Sequence, residues 1–357
     1  MSIIKGLRIF IILISSCIAL VLILTAIIIG TALHFNEAPA EPPLAQGNFV
    51  GATLEEDGTV LFEVREGESA ISVGRRLEQA GLIKNRLFWD IYSRFQKDYL
   101  KAGTYRLNVP ATQTELRAVL VEGRQVLLRV TIPEGVTLRK AAAIMGQSGI
   151  CSEEDFLNAA TDPLLIASYQ IPGTSMEGYL FPDTYFFPGS FPADRVVRTM
   201  ADTFFERIGE IAPESRLMNP REINDIVTLA SIVEREYRVA DEAAVMAGVF
   251  SNRMRINMNL ESCATVQYVI TEIQGKPHPH ILLYADIAIQ DPYNTYVNRG
   301  LPPGPISFPG LTALRAAFFP AQTDYLFFRL LNEAEGRHTF SRTFDAHLRA
   351  AALFVKS

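Results

Sequence analysis

NPREINDIVTLASIVEREYRVADEAAVMAGVFSNRMRINMNLESCATVQYV, residues 219–269, is the stretch around which the chain is organised. Its first part carries the signals of a helix start. Asn219 caps, Pro220 fills the first helical position with its preset φ, and the charge of Glu222 complements the helix dipole. Apolar residues at Ile226, Leu229 and Val233 follow at the spacing that makes one buried face. The next residue on that face is Glu236. A carboxylate that ends an apolar stripe is desolvated, which raises its pKa and keeps a proton available near neutrality, as a general acid requires. Glu234 is the rival, because it continues a second row through Ile223, Val227 and Ala230. On spacing alone, both side chains can equally well close a solvated helix end.

Downstream, Asp241 is placed to cap a second helix carrying Val245, Val249 and Met254, and helical character resumes over 264–271, bringing Gln267 and Tyr268 toward the same cleft. The stretch 292–309 concentrates Tyr293, Asn294, Thr295, Tyr296 and Asn298 beside Gly300-Leu301-Pro302-Pro303-Gly304-Pro305. Prolines lock such a loop and leave it little entropy to lose. A rigid loop bearing amides and hydroxyls suits the wall of a sugar-binding cleft. Upstream, EGYLFPDTYFFPGSFP (177–192) is broken by prolines and reads as a strand or ordered loop. Its Tyr179, Tyr185 and Phe187 are core residues in the weightier reading and sugar-stacking ones in the other. Glu177 is a polar partner set behind the site. After a helix over 314–318, residues 325–328 read as a buried strand, followed by a terminal helix through Leu348 and Leu353.

The chain has 357 residues, 48% hydrophobic and 20% charged, with net charge −6. That balance excludes general nucleic-acid binding, which needs a basic surface, and disfavours a phosphate-rich substrate. Residues 9–33 carry no charge and are rich in Ile, Leu and Val, long enough for one transmembrane helix. Lys5 and Arg8 precede it and Glu37 and Glu41 follow, so the positive-inside rule puts the N-terminus in the cytoplasm and the rest outside. The run is too long for a cleaved signal peptide, and the apolar residues after Cys17 disfavour a lipoprotein. The expected organisation is a cytoplasmic tip and membrane helix (1–35), a Pro/Ala linker (36–58), a small α/β unit (59–125) and a larger α+β unit (126–357).

In the small unit, 61–64 alternates as a strand, Ser69 caps a helix through Leu77, a second helix runs through Phe88 and Tyr92, and Gly103–Leu107 returns as a strand. The device echoes at Ile132-Pro133-Glu134-Gly135-Val136-Thr137, where Thr137 caps a helix over 138–145. Ser152 starts another. Cys151 and Cys263 are the two cysteines outside the membrane run, read as unpaired thiols rather than a bridge. No HExxH pattern and no Gly-rich phosphate loop occurs, so neither metal nor cofactor is expected.

LASIVEREY, VFSNRM, ATVQY, YNTYVNRGLPPGPIS, HTFSRT and EGYLFPDTYFF together resemble the membrane-anchored endolytic murein transglycosylase family (MltG, or YceG-like), in order and over nearly the whole chain. The resemblance implies a lytic transglycosylase with one catalytic Glu. It is placed at Glu236, because Arg-Glu-Tyr resembles the Gln-Glu-Ser segment in which other lytic transglycosylases keep their acid. Ser262-Cys263-Ala264 departs from the Asp-Pro pair of many members. The implied substrate is the peptidoglycan glycan strand, cut between N-acetylmuramic acid and N-acetylglucosamine with 1,6-anhydro ends, limiting nascent strand length. Gln267, Tyr293, Asn294 and Tyr296 line the substrate, with Glu177 supporting, and penicillin-binding proteins and other cell-wall synthases are implied partners at the cytoplasmic membrane. V-x-x-G-E-S at 64–69 resembles the glycan-binding LysM module. The alternatives are a non-catalytic glycan-binding scaffold and a cytosol-type cofactor enzyme, which the outward topology disfavours.

Overall fold

A helix over Ser2–Asn36 (α1) opens the chain, and within it Leu13–Asn36 is apolar and long enough to cross a membrane, with mean hydropathy 2.8. The computed structural model describes residues 2–39, 52–279, 281–332 and 335–354 and divides into two units, Met1–Leu127 and Leu128–Ser357. Most of the linker expected over 36–58 lies outside the described residues. Within it, residues 52–54 form a strand, and a turn follows.

That strand, β1 (Ala52–Leu54), pairs antiparallel with β2 (Val60–Val64), which pairs with β3 (Gly103–Leu107). Ala52 sits opposite Phe62, so the sheet of the first unit begins upstream of the expected boundary at 59. Helices α2 (Ala70–Gln79), α3 (Arg86–Phe95) and α4 (Gln113–Glu122) complete the unit. The period-2 alternation of β2 buries Val60, Phe62 and Val64 against Trp89, Tyr105 and Leu116. Ser69 caps α2 as expected by accepting the Ser72 N–H. Helix α4 was not anticipated, although Thr112 and Glu115 form a capping box at its start.

The second unit opens with β4 (Leu127–Thr131), which pairs with β5 (Thr184–Pro188) from the aromatic block. Between them lie α5 (Leu138–Ser148), α6 (Glu153–Ala160) and α7 (Pro163–Ser168), capped by Thr137, Ser152 and Asp162. Tyr179, Tyr185 and Phe187 are buried, and the two phenols donate to Asn224 Oδ1 and the Phe181 carbonyl. These rings are core, and no face is left for sugar stacking.

Helix α8 (Ala193–Ile211) leads to α9 (Pro220–Glu234), where Asn219 caps as expected and Glu222 joins it in a capping box. Then come α10 (Ala243–Arg255), α11 (Cys263–Tyr268) running into a π-turn over Val269–Ile273, α12 (Tyr284–Ile287) and α13 (Leu311–Phe318). An antiparallel pair, β6 (Phe327–Asn332) and β7 (Arg337–Ser341), precedes α14 (Phe344–Phe354). Asp241 does not cap α10. It lies in a 3-10 turn over Ala240–Glu242 and faces Arg337 at 3.3 Å.

Helix α9 is the axis of this unit, packed by α13 and α10. From Thr228 to Val233 every side chain is buried, on all sides of the helix. Fully buried Val227, Ile232 and Val233 each stabilise the unit by ~1.5–3 kcal/mol relative to exposure.

Candidate functional site

The α-helical hydrogen bonding of α9 ends at Glu234. Arg235 keeps φ −91 and ψ −5, and Glu236 follows on a tightened turn whose N–H donates to the Val233 carbonyl at 3.0 Å. The Glu236 carboxylate accepts the Ser262 hydroxyl at 2.5 Å. Ser262, the residue before α11, is itself fixed. Its N–H donates to Thr295 Oγ1 at 3.1 Å, its carbonyl accepts Thr265 Oγ1 at 2.7 Å, and the two threonine hydroxyls meet at 2.9 Å. Helix α9, the start of α11 and the loop at Thr295 therefore converge on one carboxyl group.

Burial pushes Glu236 above the ordinary carboxylate range. The Ser262 hydroxyl and the Ala264 N–H, then the charges of Arg235 and His338, pull it back without cancelling the rise. His338, from β7, is held by Glu242, whose carboxylate accepts both its backbone N–H (3.1 Å) and Nδ1 (2.8 Å).

Glu234 has a different set of partners. It accepts the Gly310 N–H at 2.8 Å, at the start of α13, and the Tyr237 hydroxyl at 3.4 Å. Burial, with the nearby Glu134, raises it to about 7. It sits at the head of α13, in the place of an acidic side chain near a helix N-terminus.

Glu177 is 7% exposed, and both of its oxygens accept the first N–H of α5, from Leu138, at 3.0 and 3.1 Å. Tyr268 donates to it at 3.5 Å. A helix N-terminus favours the ionised form, yet burial outweighs that pull and Glu177 is pushed up to about 8. Arg235 donates to Gln267 Oε1 at 3.1 Å, and among the described residues it lies beyond ion-pair distance of Glu177, Glu236 and Glu272 while acting on all three. Glu272 in turn meets Arg139 at 3.5 Å.

Tyr293 packs on Tyr268 with ring centroids 5.0 Å apart, and the Tyr296 hydroxyl meets Cys263 Sγ at 3.2 Å. Tyr296 and Cys263 both feel the Glu236 charge. Asn294 is fully buried. Its amide hydrogens go to the Ile287 and Ile289 carbonyls at 3.0 and 2.8 Å, and its oxygen accepts the Tyr296 N–H at 2.9 Å. That amide is spent on holding the loop, so it is not free for the sugar contact expected of it. Arg235, Ser262 and Glu272 were not read as site residues. The first had a signal, a cation set between two carboxylates in Glu234-Arg235-Glu236.

The proline-rich loop is a rigid wall, pinned to α9 by Ile306 N–H on Ser231 Oγ (3.0 Å) and Ser307 Oγ on the Ser231 carbonyl (3.1 Å). It passes so close to Gly178 that a Cβ there would stand 2.3 Å from Pro305 Cβ. Cys17, Cys151 and Cys263 are free.

The sequence profile of the YceG-like family matches residues 62–353. The chain belongs to the YceG-like family. Among proteins similar to it, one from Streptococcus pneumoniae serotype 2, named endolytic murein transglycosylase, is 31% identical over 84% of this chain. The match spans only 59% of that relative's length. The Bacillus subtilis protein of the same name is 28% identical over 93% of this chain and 92% of its own. The crystal structure of a YceG-like protein from Listeria monocytogenes, 31% identical, aligns with TM-score 0.55 over 82% of this chain and 98% of that one. The YceG-like resemblance seen in the ordered blocks is thus borne out over most of the chain.

Proposed function

We propose that this YceG-like chain is a membrane-anchored endolytic peptidoglycan transglycosylase with Glu236 as its one acid–base residue. The observation that carries the reading is the desolvated Glu236 carboxyl, held by the Ser262 hydroxyl and left without a cation in ion-pair contact among the described residues. The names of the relatives from Streptococcus pneumoniae and Bacillus subtilis support the same activity. The protonated acid donates to the glycosidic oxygen leaving C1 of N-acetylmuramic acid. The carboxylate so formed takes the proton of the C6 hydroxyl of the same sugar, whose oxygen closes the 1,6-anhydro ring on C1. No water enters, because intramolecular attack supplies a high effective concentration of nucleophile. A hydrolytic glycosidase would need a second carboxylate at the reacting carbon.

In this reading Gln267, Tyr293 and Tyr296 line the strand, Gln267 oriented by Arg235 and Tyr296 by the loop that Asn294 braces. Glu177 supports from behind, at the head of α5. The apolar helix Leu13–Asn36 is the single-pass anchor, with the rest of the chain outside the cytoplasm. The small unit is a LysM-like glycan-binding module, and cell-wall synthases such as penicillin-binding proteins are its neighbours at the membrane.

Mass analysis of the products from purified glycan strands tests the activity. The expected ends are 1,6-anhydro, lighter by one water than reducing ends. Reducing ends would overturn the single-acid mechanism and make Glu177 or Glu272 the first suspect for a base. Bound but uncut strands would favour the scaffold reading.

A further inference from the structure

We propose that α3 of the small unit lies in the lipid interface of the same membrane that α1 spans, so that the unit is seated on the bilayer and not tethered above it. The inference rests on the reading of α1 as a membrane anchor. Helix α3 has two apolar faces. Trp89 points into the core and is fully buried, whereas Leu87, Ile91 and Phe95 are 58%, 49% and 82% exposed. The spacing 87, 91, 95 places these three on one helical stripe. Tyr99, just beyond the helix, is 87% exposed.

The stripe faces the membrane helix. Leu87, Ile91 and Phe95 line a groove whose other wall is Ile27, Thr31 and Phe35 of α1. The end of α1 is bonded to the residues around α3, at α4 and at Lys84. Gln113 donates to the Phe35 carbonyl at 2.8 Å, Asn36 and Thr114 exchange two hydrogen bonds of 3.1 Å, and Lys84 meets Glu37 at 3.1 Å. An uncharged run of 25 residues rises about 37 Å, some 7 Å more than a hydrocarbon core, so its last turns stand at the interface. Ile27 to Phe35 covers the last ~12 Å of this rise and ends two residues past the run, which sets α3 along the headgroup–acyl boundary where amphipathic helices bury one face. Arg94 and Lys97, exposed beside Phe95 and without an ion-pair partner among the described residues, suit lipid phosphates. Lipid is thus the occupant that continues from α1 into the groove.

The test uses the full chain in vesicles of phosphatidylglycerol and phosphatidylethanolamine, with Cys17, Cys151 and Cys263 changed to Ser. An environment-sensitive fluorophore is placed in turn at Ile28→Cys, Phe95→Cys, Leu87→Cys and Glu66→Cys, the last on an exposed turn of the same unit. Spin-labelled lipid should quench positions 28, 95 and 87 with a blue shift, and leave position 66 unchanged. Quenching at 28 with none at 95 or 87 overturns this proposal while the anchor stands. No quenching at 28 defeats the anchor reading itself. A blue shift at 95 and 87 without lipid quenching means that protein covers the stripe, and also overturns it.

Discussion

One device is used in both units, and the two copies treat their carboxylates in opposite ways. In the small unit β2 runs through Glu66-Gly67-Glu68 to Ser69, which caps α2; in the large unit β4 runs through Glu134-Gly135-Val136 to Thr137, which caps α5. Glu68 is met by Arg76 at 2.6 Å, with both side chains under a tenth exposed, and also accepts the Ser72 hydroxyl at 2.8 Å. In the large unit the head of α5 receives Glu177, and Glu177, Glu234 and Glu236 meet N–H groups and hydroxyls in place of guanidinium groups. A buried ion pair fixes a charge. A buried carboxyl given only neutral donors keeps its proton longer, which is what the acid role proposed for Glu236 requires.

The largest effect expected from this contrast is a clean exchange of phenotypes. Glu236→Gln should lower formation of 1,6-anhydro product by ~10²–10⁴-fold, the usual contribution of an acid–base group, with no change in melting temperature. Glu68→Gln should do the reverse. It removes the buried Glu68–Arg76 ion pair and destabilises the small unit by about 3 kcal/mol, while cleavage of short soluble strands is unchanged. If Glu234→Gln is the dead variant and Glu236→Gln is active, the site has been centred on the wrong carboxylate.

Packing around the two units can be compared in the same spirit. Gly58, in the small unit, and Gly178, beside the loop of the site, share φ +83, a conformation L side chains rarely adopt. Around Gly58 there is nothing within 4 Å, whereas a Cβ at Gly178 would meet Pro305 at 2.3 Å and Val227 at 3.3 Å. Gly58→Ala should therefore show backbone strain alone, ~1–2 kcal/mol. Gly178→Ala adds overpacking of ~1–3 kcal/mol and shifts the proline-rich wall, so activity falls with stability. Equal losses from denaturant titration of the two variants would mean that the wall yields freely and is not the rigid surface described.

Four caps were legible in the sequence because a cap is local. Asn219 with Glu222, Ser69, Thr137 and Ser152 each bond within three residues of themselves. The choice between Glu234 and Glu236 was not legible from periodicity, because the last turns of α9 are buried on every side and no stripe distinguishes the rows. What separates them is who donates to each, and those donors are 76 and 26 residues away in Gly310 and Ser262. Asn294 misled for the same reason. Its residue type suits a sugar, but Ile287 and Ile289 had already taken its amide through a turn no pattern announces. The first strand of the small unit hid in a Pro/Ala-rich segment because three residues carry too little alternation to read.

The finest test of the comparison uses its two serines. Ser262 donates to Glu236 and Ser72 to Glu68, at 2.5 and 2.8 Å. A hydroxyl bonded to a carboxylate favours the ionised form, so removing it lets the pKa climb further. As general acid Glu236 is competent below its folded pKa, and the rate falls as pH rises through that value. Ser262→Ala should therefore move the falling limb of kcat/KM to higher pH, by about one pH unit for one hydrogen bond to a charged group. The plateau below it should drop only modestly, since the proton itself is still there. Ser72→Ala should leave the pH profile untouched, because Glu68 takes no part in proton transfer and keeps Arg76. A limb that stays put in Ser262→Ala, or moves to lower pH, would mean that the Ser262 bond does not control Glu236 and that the proton enters the reaction from elsewhere.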